Sequence, residues 1–166
     1  MQSLVAYNLS VLEKIDQVLV QLNDEEMARP SELLFGSSIG QHFRHILEFY
    51  ECLLGHVRDG AFSYDRRRRN LLIETEVTAA RASAVRSISL LQELGEDKVM
   101  AMESELPGST YVSSQMTTLK RELAYLADHG VHHLAMIRIA LEQELKHVSF
   151  PDHLGVAAST RNFRER

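Results

Sequence analysis

His129 and His133 stand four residues apart in the run Asp128-His129-Gly130-Val131-His132-His133. On a helix that spacing projects both imidazoles from one face, one turn apart. Leu123, Leu126, Gly130, Leu134, Ile137 and Leu141 form the apolar stripe of the same segment, so both rings fall on one shoulder of the stripe and His132 well outside it. Imidazoles turned toward a core need partners, because a neutral ring carries one donor and one acceptor. A divalent metal is one such partner, since it takes neutral imidazole nitrogen as a ligand. A hydrogen-bonded or half-exposed pair of histidines is the other reading.

A second segment offers more imidazoles. In Ser38-Ile39-Gly40-Gln41-His42-Phe43-Arg44-His45-Ile46-Leu47 the apolar stripe runs through Ile39, Phe43, Ile46, Tyr50, Leu53, Leu54 and Val57, and a serine is placed to cap the helix. His42 lies at the edge of that stripe and His45 one step further round, beside Phe49. Either could face a neighbouring helix, so two helices together could present three imidazoles to one ion. Three protein ligands with open positions is the pattern of a catalytic metal site, whereas a closed structural site uses four.

Other groups could serve such a centre. Glu122 shares the shoulder of His129 and Glu48 follows His45 by three residues; either could orient a ligand ring by accepting its second N–H, or be a surface acid. In Tyr64-Asp65-Arg66-Arg67-Arg68-Arg69, the densest positive charge in the chain, Arg66 and Arg68 could turn inward to bind a carboxylate-bearing substrate, with Tyr64 and Asp65 holding the loop. The alternative is a solvated charge run. Cys52, the single cysteine, reads as packing, and without a disulfide partner it fits a reducing compartment. His56, His147 and His153 read as exposed and without a role.

The elements that must position these groups follow from periodicity. Helices are expected from about Leu4 to Leu22, Ser38 to Val57, Glu74 to Leu94 and Thr117 to Glu144. Between the last two, residues 99–106 and 111–115 flank Pro107-Gly108-Ser109 and read as a short hairpin or extended loop. The expected architecture is all-α: a four-helix bundle with that excursion, one domain over residues 1–166, and a non-helical tail from about 149 that could cover one end of the site. With 166 residues and 45% apolar content the chain can bury a core without staples. A net charge of −5 argues against nucleic acid. No signal peptide or membrane span is evident, so a cytoplasmic location is expected. Apolar residues on the first or third helix could support a homodimer.

The pairing of the Ser38–Leu47 segment with His129-Gly130-Val131-His132-His133 resembles the DinB-like family of helical-bundle proteins, over nearly the whole chain in length and helix order. The resemblance implies a divalent metal such as nickel, zinc, iron or manganese, held by His45, His129 and His133 with water completing the shell. His42, one turn earlier, is then an additional or supporting group, or one facing substrate. The activity it implies is transfer or isomerisation using a low-molecular-weight thiol. Leu134-Ala135-Met136 departs from the polar stretch that many members carry after the last histidine. A non-catalytic small-molecule-binding or stress-response bundle, with a structural metal or none, is the competing expectation.

Overall fold

The computed structural model describes residues 1–105, 108 and 112–164. Helix α1 (Gln2–Leu19) buries Asn8, Val11, Leu12, Ile15, Val18 and Leu19 along one face. A short α2 (Asp24–Ala28) follows, opened by a capping box between Asn23 and Glu26. Helix α3 (Ile39–Gly55) starts at the expected serine: Ser38 Oγ accepts from the Gln41 N–H at 3.1 Å, and Gln41 accepts from the Ser38 N–H at 3.3 Å. That reciprocal cap fixes where α3 begins, and hence the helical phase of His42 and His45.

The third expected helix is broken. A one-turn α4 (Leu72–Thr75) is separated from α5 (Val77–Gln92) by Glu76, whose backbone is extended. The break has a partner from another element, because Asp24 of α2 accepts the Val77 N–H at 2.8 Å and so caps α5 from outside. Strands β2 (Val99–Glu105) and β3 (Val112–Thr118) form an antiparallel pair with Met102 opposite Gln115. The expected turn residues Pro107 and Ser109 lie outside the described residues. A two-residue strand, β1 (Ala61–Phe62), pairs parallel to β2, where only an irregular loop was expected; two residues are too few to leave a periodic signal.

Helix α6 (Leu119–Glu144) is capped by Thr118, and α7 (Ala158–Arg164) makes the end of the tail helical, against expectation. The four long helices contact one another in a ring of pairs: α1 with α5 and α6, and α3 with α5 and α6. The fold is thus mostly helical with a small three-stranded sheet. One continuous apolar core runs between the helices, from Leu12 and Ile15 through Phe43, Leu47 and Tyr50 to Leu123, Leu134 and Ile137. No helix among the described residues is long and apolar enough to cross a membrane.

Candidate metal centre

The contact between α3 and α6 brings the predicted histidines together. His45 on α3 and His129 and His133 on α6 each offer one ring nitrogen, and those nitrogens all lie within 4.8 Å of one another. The ring centroids are 4.9 Å apart for His45 and His129, 4.6 Å for His45 and His133, and 4.7 Å for His129 and His133. Gly130 permits this approach: a Cβ there would stand 3.0 Å from Val11 Cγ1 and 3.6 Å from Ile46 Cγ2. The glycine between the histidines lets α6 settle against α1 and α3 together.

Two direct contacts link the rings. His45 Nε2 lies 2.9 Å from His129 Nε2, and His42 Nδ1 lies 2.9 Å from His133 Nδ1. In each pair one nitrogen must donate and the other accept. His42 is therefore a neighbour of the cluster, touching it through His133, while His132 is exposed, its ring edge-on to His133 at 5.6 Å. Phe49 packs against His45 and His129 at 4.7 Å each, and Tyr125 stacks on His129 at 5.4 Å. These aromatic walls take the rings partly out of water, which disfavours the imidazolium form. Burial, reinforced by its histidine neighbours and Arg67, lowers His45 to about 4, and burial with the neighbouring histidines lowers His133 to about 3. His42 and His129 are lowered too, again chiefly by burial. All four rings are neutral at pH 7, the form that ligates metal.

The acids do something other than expected. Glu48 and Glu122 are each 1% exposed, and neither accepts a hydrogen bond from a cluster histidine. Glu48 accepts the Asn70 N–H at 2.8 Å and pairs with Arg67 at 3.4 Å and Arg44 at 3.8 Å. Glu122 accepts from Tyr64 Oη at 3.0 Å and Thr117 Oγ1 at 2.6 Å, with Arg121 at 3.0 Å. Both carboxylates pin the loop and hairpin against the helices. Burial and the Glu122 charge raise the Tyr64 phenol, so Tyr64 is neutral and holds the loop by donating.

In the arginine run, the inward residue is Arg67, which was not among the candidates. Its side chain is 9% exposed, donates to the Tyr64 carbonyl at 2.8 Å, lies over the Phe49 ring at 4.8 Å and reaches His45 Nδ1 at 3.4 Å. Arg66 and Arg68 remain exposed, and Arg66 is taken up by Glu103 and Glu105. Phe62 and Tyr64 are buried, and a turn in which the Arg67 N–H donates to the Tyr64 carbonyl then brings Arg67 inward. Asp65 holds the hairpin by accepting the Glu105 N–H at 2.9 Å. Cys52 is packing, as expected: its thiol donates to the Ser63 carbonyl, and burial pushes it up to about 11. His56 and His147 are exposed as expected, His147 lying 3.5 Å from Glu26, whereas His153 is half-buried.

A mostly helical fold that gathers three neutral imidazoles from two packed helices defines a class of candidate metal-binding helical proteins. The DinB superfamily profile matches residues 10–137, which include all three histidines, and the chain belongs to that superfamily. It is also similar to a protein named FK506-binding protein 5 from Rhizopus delemar, with 30% identity over 106 residues, covering 59% of this chain and 26% of that protein. The chain thus spans about a quarter of the length of that curated relative. No solved structure matches it significantly.

Proposed function

We propose that this chain is a divalent-metal-dependent enzyme built on a single four-helix-bundle domain, with His45, His129 and His133 as the metal ligands. The observation that carries the reading is the convergence of three neutral ring nitrogens, within 4.8 Å of one another, from two different helices. The donor set fits a first-row ion such as nickel, zinc, iron or manganese, because imidazole suits several of them. Three ligands leave coordination positions open. When bound, such an ion supplies Lewis acidity that favours the thiolate of a low-molecular-weight thiol, or hydroxide, at neutral pH. Transfer of that nucleophile to a small-molecule electrophile then needs no nucleophilic side chain, in keeping with a Cys52 that stays protonated.

The chain's own groups prepare the centre. Phe49 and Tyr125 exclude water from two sides of the rings. Arg67 donates toward His45 Nδ1, which requires that nitrogen to be the acceptor and leaves the proton on Nε2. Were His45 to hold an ion through Nε2, its proton would sit on Nδ1, which could then not accept from Arg67. Glu48 is the group positioned to keep the guanidinium when that contact is lost.

The test is the metal content and divalent-ion affinity of the purified protein beside His45→Ala, His129→Ala and His133→Ala, with His42→Ala and His132→Ala alongside. Loss of the ion in the first three and its retention in His132→Ala is the expected result. Equal binding by all variants, or no tight binding by the wild type, overturns the enzyme reading. The 2.9 Å contacts between ring nitrogens favour the second reading, a non-catalytic bundle whose histidines satisfy one another by hydrogen bonds. Under that reading His129→Ala lowers stability and changes no metal content.

A further inference from the structure

A cavity of about 500 Å³ opens between α3 and the arginine loop, on the far side of the Glu48–Arg67 pair from the histidines. That volume is within the range of small-molecule sites, roughly 300–1,000 Å³. Its walls combine an apolar part, Ala61, Phe62 and Cys52, with Ser63 and the three arginines 66–68. The charges in the wall are unevenly spent. Glu48 is matched by Arg67 and Arg44, Glu51 by Arg86, and Glu103 by Arg66. Arg68, by contrast, lines the cavity and has no hydrogen bond or ion pair among the described residues. A cavity that keeps one uncommitted guanidinium beside an apolar wall is complementary to an anion with an apolar body.

We propose that this cavity binds a small organic carboxylate, whose oxygens accept from Arg68 while its apolar body lies on Phe62 and Ala61. Planar guanidinium favours carboxylate through paired N–H donors, and a single uncommitted cation fits a monoanion better than a dianion. The site stands whether or not the histidines hold a metal, because none of its ligand contacts involves them. Its position against Arg67 nevertheless sets a bound carboxylate one residue away from His45.

The test is a titration of the isotope-labelled full chain with benzoate, followed by backbone amide NMR, with benzamide as the uncharged isostere. Benzoate is expected to saturate, to shift the amides of Ser63, Arg67 and Arg68, and to bind at least tenfold more tightly than benzamide. Arg68→Ala, which removes an exposed side chain without an ion pair, is expected to weaken benzoate at least tenfold. Arg69→Ala, outside the cavity wall, should leave it unchanged, and His129→Ala should do so as well, which separates this site from the metal reading. Shifts that do not saturate, equal binding of benzamide, or equal losses in Arg68→Ala and Arg69→Ala would overturn the proposal.

Discussion

Glu48→Gln tests how the arginine loop is held beside the histidines. The side chain is fully buried, and its carboxylate faces Arg67 at 3.4 Å and Arg44 at 3.8 Å while accepting the Asn70 N–H. At an effective dielectric of about 20 each contact carries roughly 4–5 kcal/mol of Coulomb attraction, much of it offset by desolvation. Glutamine keeps an oxygen for Asn70 and loses the charge. Removing one partner of a buried ion pair costs about 3–5 kcal/mol. Here the lower end applies, because Arg44 retains Glu74 at 3.1 Å and Arg67 retains the Tyr64 carbonyl and the Phe49 face. The expected loss is about 3 kcal/mol in urea unfolding at pH 7.5, within the roughly 5–15 kcal/mol that a domain has to lose. The double variant Glu48→Gln/Arg67→Met, which removes both charges, should cost less than the sum of the two singles by at least about 1 kcal/mol. A loss below about 1 kcal/mol for Glu48→Gln, or strict additivity in the double variant, refutes the view that this pair anchors the loop.

Two further predictions follow from the same contacts. His45 and His133 have folded pKa values of about 4 and about 3, below the unfolded value near 6.5. As pH falls through 6.5 the unfolded chain takes up these protons first, so the metal-free protein should keep full stability above that pH and lose it progressively toward pH 4; urea midpoints from pH 8 to 4.5 should fall less steeply in His133→Ala, and an unchanged slope counts against burial of the neutral rings. At Gly40, an added Cβ would stand 2.0 Å from the Glu74 carbonyl oxygen and 2.8 Å from that of Met27, both backbone atoms, whereas at Gly55 on the same helix it meets nothing within 4 Å. Gly40→Ala should therefore cost at least about 2–3 kcal/mol, and Gly55→Ala should be neutral or stabilising by up to about 1 kcal/mol; similar melting temperatures for the two variants would show that α3 does not pack so closely on α4 and α2.

The long helices were legible in the sequence because burial on one face repeats an apolar residue every three to four positions. The stripe from Ile39 to Leu54 is buried as read, and so is that from Leu123 to Leu141. The serine cap of α3 was legible for a local reason, since both partners lie within four residues. The break at Glu76 was not, because the Asp24 that caps α5 is 53 residues away. Short elements such as β1 and α7 leave too few turns or alternations for a period to show. In the site, the spacing of His129 and His133 gave their shared face directly, yet it could not decide between His42 and His45 as their neighbour across the helix contact. Both rings touch the pair, His42 at His133 and His45 at His129.

The misplaced acids and arginine have one cause. Reading Glu48 from its own helix places it one turn from His45 and suggests that it serves the imidazole. Its geometry is set instead by a loop that returns over α3, where the Asn70 N–H and Arg67 both need a buried acceptor. Arg66 and Arg68 were the expected inward pair because alternate residues of an extended segment share a face. Alternation fixes parity but not sign, and Phe62 and Tyr64, the buried anchors upstream, do not fix it either, because the chain bends between Tyr64 and Arg67. The bend turns Arg67 onto Phe49 and His45, so the cation nearest the histidines comes from the residue that a straight segment would have placed outside. A buried cation beside three imidazoles would oppose any dication brought to them, and the buried Glu48 charge offsets it. The loop, its arginine and the carboxylate beneath it therefore act on the histidine cluster as a unit.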